Sequence, residues 1–381
     1  MINFSSKLPQ TPNNIFSEMT ALANQHQAIN LSQGFPDYDI DPALIKLVNQ
    51  EMLKGNNQYA PMPGILSLRE SVSEKMQALH NSYYSPETEI TITAGGTQAI
   101  YTAIAAVIKP NDEAIIFEPA YDCYAPTVRA FGGLVKPYEM TPPFYDIEWS
   151  MVKRLVTANT KLIIINSPQN PCGRILKEED IKQLKIITEN TDILIISDEV
   201  YEHIIFDGQQ HLSLSQFPEL KERTFITASF GKLFHCTGWK VGYCLAPEML
   251  MKEFRKIHQF LVFSVNTPIQ HALHSYLNSN QSYLELASFF QNKRDLFRSL
   301  LKPSKFTLLR CEGSYFQNVS YENISAEKDV DIAVRIAKDY KVACIPNSSF
   351  YARSTDFKTL RFCFAKKDET LEKAAELLNK I

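Results

Sequence analysis

Two lysines, Lys232 and Lys240, stand in the stretch SFGKLFHCTGWK beside Gly231, Gly238 and Trp239 rather than in an ordinary solvated run. A lysine held among apolar neighbours is less inclined to stay charged, and its neutral amine can attack a carbonyl carbon. Lys240 with Ser229 makes an amine-and-hydroxyl set suited to gripping a phosphate. Upstream, Asp198 closes the β-branched run DILIISD, so its carboxylate should emerge at the carboxyl end of a strand. Burial there is costly unless a cation or hydrogen-bond donors meet it. Tyr201, three positions on, can present its hydroxyl to the same cavity. An N-cap aspartate beside a packed tyrosine would read equally well from these residues alone.

Two further stretches belong with these. TITAGGTQAIYTAI runs from a strand through Gly95 and Gly96 into a helix beginning near Thr97. Small residues at such a turn let backbone N–H groups approach an anion, and the helix dipole favours negative charge there. NSPQNPCGR follows the strand KLIII, and its prolines make a rigid turn that can fix the Asn170 amide toward a site. Taken singly, each stretch also fits a plain turn or loop. Taken in order they match one chemistry: a carboxylate for a pyridinium nitrogen, a tyrosine and an asparagine for its phenolic oxygen, and a lysine for its aldehyde. The helix N-terminus, Ser229 and Lys240 would serve its phosphate. That molecule is pyridoxal 5′-phosphate (PLP).

The elements that must position these groups read as an α/β arrangement. From about Ile90 to Cys244 the runs EITITA, EAIIFE, GLVKPY, KLIIINS, DILIISD, RTFITAS and KVGYCLA alternate with helical patterns such as TQAIYTAIAAVI. Continuous apolar strands alternating with helices imply a mainly parallel sheet covered on both faces. Ligands of such sheets bind beyond the carboxyl ends of the strands, where the polar residues above fall. At 381 residues the chain should form two domains, a large one over 46–289 and a smaller α/β one from 1–45 with 290–381.

Composition narrows the partners. The chain is 45% apolar and 21% charged with net charge −3, and its basic residues are scattered. Neither a nucleic-acid nor a membrane surface is indicated. The seven cysteines form no CxxC pair, which points away from a zinc site or a disulfide framework. The segment MINFSSKLPQTPNN lacks a signal-peptide layout, so a cytoplasmic setting is expected. His203 and His235 read as structural, without a pattern of metal partners.

The sequence resembles the class I/II aminotransferases of PLP fold type I, in the branch that contains methionine and kynurenine aminotransferases, which implies a large domain with a mainly parallel mixed sheet sandwiched by helices. The resemblance runs through AINLSQGFPDYD, NQYAPMPG, AGGTQA, EPAYDCYAP, NSPQNPCG, SDEVYEHI, SFGKLFHCTGWKVGYCLAP, GSYF and LRFCFAKKDETL. It implies that Lys232 bonds the cofactor covalently and carries the proton between substrate and cofactor. Asp198 would pair with the ring nitrogen, Tyr201 and Asn170 would bond the ring oxygen, and Tyr121 would stack on the ring. Gly96, Thr97, Ser229 and Lys240 would hold the phosphate. Tyr59 would reach the phosphate of a neighbouring subunit, implying a homodimer with shared active sites. Arg361 would bind the substrate α-carboxylate, with Gly34 and Asn170 completing that pocket and Phe16 lining the side-chain pocket.

The implied reaction is ping-pong transfer of the amino group of methionine, and of aromatic amino acids or glutamine, to a 2-oxo acid. Lys240 stands where many relatives carry arginine, an exchange a phosphate tolerates. The segment HQFLVFSVNTPIQ lacks the extra arginine that aspartate-specific relatives use for a distal carboxylate, which favours a neutral substrate side chain. A β-lyase acting on cystathionine or cysteine conjugates would use the same cofactor residues and is the alternative. A PLP-sensing regulator would need an added DNA-binding module and a basic surface, and the chain is net acidic.

Overall fold

The β-branched runs become strands because both of their faces are covered. The computed structural model describes residues 4–9, 11, 14–279 and 281–381; part of the N-terminal segment read above therefore lies outside the described residues. The strands are β1 (Ile29–Asn30), β2 (Ile90–Thr93), β3 (Glu113–Glu118), β4 (Leu134–Glu139), β5 (Thr160–Asn166), β6 (Leu194–Asp198) and β7 (Thr224–Ser229). After them come β8 (Gly242–Leu245), β9 (Thr307–Leu308), β10 (Phe316–Ser320), β11 (Val342–Ala343), β12 (Ile345–Pro346) and β13 (Thr359–Cys363).

Seven of them form one sheet in the order β2-β8-β7-β6-β5-β3-β4. Every strand runs the same way except β8, which pairs antiparallel with both β7 and β2. The run KVGYCLA therefore makes the sheet mixed. Only a one-turn helix (Phe230–Leu233) and a 3-10 turn (Thr237–Trp239) join β7 to β8, and β8 comes back beside β7 without crossing the sheet. Consecutive residues of the central strands point to opposite faces, as the strand period of two requires. Ile116, Ile164 and Ile196 pack with Ala99, Ile100 and Ala103 of the helix Gly96–Val107. Ile115, Ile163 and Ile195 pack with Leu184 and Ile187 of the helix Glu178–Thr188. Each such buried isoleucine contributes about 1.5–3 kcal/mol.

The chain ends supply a four-stranded antiparallel sheet, β12-β13-β10-β9, and a parallel pair, β1 with β11. One apolar cluster runs from Met19 and Ala23 through Leu360 and Phe362 to Leu371, and includes Phe230 and Tyr243 from the middle of the chain. This packing brings β13 up to the carboxyl ends of the large sheet.

The segment that follows β6 is anchored from behind by a buried ionic cluster. Glu202 pairs with Lys75 at 2.7 Å, and the Tyr243 hydroxyl donates to it at 3.2 Å. Glu199 meets His211 at 2.8 Å and accepts from Ser197 Oγ at 2.7 Å. His203 adjoins this cluster, and burial pushes it down to about 3. His235 packs among Tyr38, Phe289 and Phe290, and burial pushes it down to about 4. All seven cysteines are free thiols. No helix among the described residues is long and apolar enough to cross a membrane.

Candidate active site

The carboxyl ends of β2, β3, β5, β6 and β7 open onto a cavity of about 260 Å³. Of the residues selected from the sequence, Lys232, Asp198, Tyr201, Gly96, Thr97, Tyr121, Asn170, Ser229, Lys240, Arg361, Gly34 and Phe16 all line it. Tyr59 does not. It is 82% exposed and packs edge-on against Phe263.

Asp198 ends β6 and is 3% exposed. Its Oδ2 accepts from the Tyr124 hydroxyl at 2.5 Å, and its Oδ1 from Val200 N at 3.3 Å. Burial pushes the carboxyl up from 3.8 to about 6, with the Tyr124 bond pulling the other way. Asn166, at the end of β5, fixes the neighbouring turn: its Nδ2 donates to Asp198 O at 2.8 Å and its Oδ1 accepts from Asn170 N at 2.7 Å. The turn NSPQNPCG is thereby tied to the strand that bears the carboxylate.

Lys232 sits on the one-turn helix Phe230–Leu233 rather than in the loop that strand ends usually open into. Its Nζ donates to Tyr315 Oη at 2.5 Å and to Gly34 O at 3.1 Å. Burial pushes the amine down to about 8, the Cys363 thiol opposes this, and Lys240 and Arg361 lower it further. A sizeable neutral fraction near neutral pH suits a nucleophile and proton carrier.

The far end of the cavity is cationic and small. Gly95, at φ +83°, turns the chain into the helix Gly96–Val107, and a Cβ there would lie 3.3 Å from Lys240 Nζ. A positive helix end and an ammonium thus stand together, and among the described residues Lys240 has no ion pair. Like charges so placed call for an anion between them. Thr97 Oγ1 and the Tyr121 hydroxyl lie 3.2 Å apart at the same end. Gly242 holds this corner closed, because a Cβ there would sit 2.5 Å from the Ala228 carbonyl oxygen and 3.0 Å from Gly96 N. Gly242→Ala should cost about 1–3 kcal/mol and loosen anion binding at the Gly95–Gly96 turn; thermal melts with and without inorganic phosphate check both.

Arg361, on β13, is fully buried. Its Nη1 donates to Asn170 Oδ1 and its Nη2 to Ser32 O, both at 2.7 Å, while its Nε is buried without a partner. The guanidinium lies 3.9 Å from the Phe316 ring centroid, with Phe16 and Phe350 at 5.2 and 5.1 Å. Burial pushes it down to about 10, which leaves it charged at any working pH. A fixed cation with an unused N–H, walled by aromatic rings, suits a carboxylate attached to an apolar side chain.

Sequence reasoning did not single out Tyr124, Tyr315 or Phe316 as site residues. Tyr124 follows Tyr121 by three residues within EPAYDCYAP, and Tyr315 and Phe316 stand in GSYF, so all three lay inside motifs already quoted.

Fold and cavity together are those of a class I and II aminotransferase. The chain belongs to that family, whose model matches residues 26–378. It is 44% identical to the methionine aminotransferase of Escherichia coli (strain K12) over 377 residues, 99% of this chain and 98% of that one. The kynurenine–oxoglutarate transaminase of Dictyostelium discoideum is 30% identical, with 96% of this chain and 94% of that protein aligned. The solved structure of YbdL from Escherichia coli, for which a methionine aminotransferase function was identified, matches with a TM-score of 0.97 at 43% identity over 100% of both chains.

Proposed function

We propose that this protein is a PLP-dependent enzyme that moves the amino group of methionine, and to a lesser extent of aromatic amino acids or glutamine, to a 2-oxo acid. The observation that carries the reading is a single cavity that joins a lysine pushed down to about 8, a buried carboxyl and a guanidinium with an unused N–H among aromatic rings. The donor set fits the cofactor. Asp198 is costly to ionise without a cation, which suits a protonated ring nitrogen. Lys240 beside a positive helix end suits a phosphate. Asn170 spends its Oδ1 on Arg361, leaving its Nδ2 as a donor for the ring oxygen together with Tyr201.

Bound there, PLP supplies an electron-accepting ring that stabilises negative charge at the substrate Cα. The chain's own residues do the rest. Lys232 takes the proton from Cα and returns it to the acceptor position. Asp198, oriented by Tyr124 and Val200, holds positive charge opposite it. Arg361 binds the α-carboxylate, and Asn170 fixes the plane of its guanidinium. Gly34 lends its carbonyl to Lys232, and Tyr121 packs over the site. Phe16 and Phe316 keep water away and offer a thioether an apolar wall. A panel of amino acids with a 2-oxo acid tests this reading: methionine should lead. Pyruvate and ammonia released from cysteine conjugates, with methionine inert, would establish the β-lyase instead.

We also read the enzyme as a homodimer with shared sites. Tyr59, Phe260, Leu53 and Met249 are 82%, 87%, 80% and 71% exposed, apolar side chains that a second chain would cover. Mixing inactive Lys232→Ala chains with Tyr59→Ala chains should then restore about a quarter of the native activity, because each hybrid pair rebuilds one intact site. No gain on mixing removes Tyr59 from the neighbour's site. Residues 46–289 are read as the cofactor-binding domain, with 1–45 and 290–381 as the second. Seven free thiols agree with a cytoplasmic setting.

A further inference from the structure

The chemistry proposed above needs Lys232 in two forms, bonded to the cofactor and free. The free amine must wait within reach of the substrate Cα with its lone pair toward it, although it sits on a flexible four-carbon stem. The surroundings of Nζ supply such a berth. A neutral amine has two N–H bonds and one lone pair. Two acceptors stand within reach, Tyr315 Oη at 2.5 Å and Gly34 O at 3.1 Å. The Tyr315 hydroxyl gives its own proton to Gly34 O at 2.5 Å, so its oxygen is left to accept from the lysine. With both N–H bonds engaged, the lone pair is the part of the amine left over for the cavity.

Tyr315 is itself rigid. It is 1% exposed and its ring is wedged against Phe316, Tyr201 and Phe290, with centroids at 4.9, 5.1 and 5.7 Å. We infer that Tyr315 is a positioning residue for the reaction, its hydroxyl and the Gly34 carbonyl forming the berth from which the free Lys232 amine takes and returns the substrate proton. This rests on the reading of Lys232 given above. In the step itself the Cα–H bond breaks, its electron pair stays with the substrate, and the proton becomes the third N–H of an ammonium. The other two N–H bonds stay on Tyr315 and Gly34, so the transferred proton is the one free to leave again. The charged and titratable groups that also face the amine are Asp198, Tyr201, Lys240, Arg361 and Cys363, with Tyr38 acting on Tyr315.

Tyr315→Phe removes the acceptor and keeps the ring. On the cofactor-stripped full chain, labelling of Lys232 by fluorodinitrobenzene against pH, read by peptide mass spectrometry, should show its midpoint lowered by about one pH unit, because an acceptor that favours the ammonium is gone. On the holoenzyme, kcat for methionine should fall about 10- to 100-fold with KM little changed, and the isotope effect with Cα-deuterated methionine should rise. A variant with the native labelling midpoint and the native isotope effect overturns the inference, whatever its melting temperature. If Tyr315→Phe does not fold, 4-fluorophenylalanine at position 315 fills the place of the hydroxyl with a poor acceptor that cannot ionise, and the midpoint should still fall. If methionine does not react with the native enzyme, the functional reading fails, while the labelling curve still decides whether Tyr315 holds the amine.

Discussion

Lys232→Ala should lower kcat/KM for methionine and a 2-oxo acid by at least about 10⁴-fold. On the function proposed above, the substitution removes the nucleophile and the proton carrier together, and no other amine is placed to replace it. Lys240, the remaining lysine of the cavity, lies beyond Gly95 at the helix end. The chemical readout is independent of rate. Borohydride treatment of the native holoenzyme should leave the mass of the cofactor on the peptide containing Lys232, and on no peptide of the variant. A variant that kept either the reduced adduct or a substantial rate would remove Lys232 from the mechanism.

Asp198→Asn should lower kcat/KM by on the order of 10² to 10³-fold, since breaking a buried charge pair costs about 3–5 kcal/mol. The same substitution has a signature in the cofactor-free chain. Burial raises the folded carboxyl from 3.8 to about 6. Between those values the folded state binds more protons than the unfolded one, so stability falls as pH rises through the window. The fall is about 3 kcal/mol for this group. Asparagine cannot titrate, so the variant should lack that slope, and with cofactor bound the native chain should lose it too. Urea melts at pH 4 and pH 6 check both statements; identical slopes in native and variant chains would contradict them.

Much of this site was legible because each chemical group closes its own strand. Asp198 after DILIIS, Ser229 after RTFITA and Asn166 after KLIII announce where they stand once the strands are seen to run parallel. Composition and periodicity could not disclose contacts made by docking. Tyr124 meets Asp198 only because the helix Tyr124–Ala130 settles on the sheet, and Tyr315 meets Lys232 only because the chain's last third folds back over it. A mixed sheet was expected from the family resemblance, but which strand runs in reverse was hidden for a related reason. Strand propensity carries no direction, and the short β7–β8 connection sets it. Tyr59 is the opposite case, a residue recognisable by motif that stands exposed and away from the cavity in the single chain.

The hexapeptide Asp198–His203 is a partition with a wet side and a dry side. Asp198 and Tyr201 face the cavity, while Glu199 and Glu202 are locked into His211 and Lys75 behind it. For anyone diversifying this enzyme toward new amino acids, positions 75, 199, 202 and 211 therefore belong among those held fixed, although none lines the cavity. A library chosen by distance to substrate would randomise the foundation and misread the damage as lost specificity.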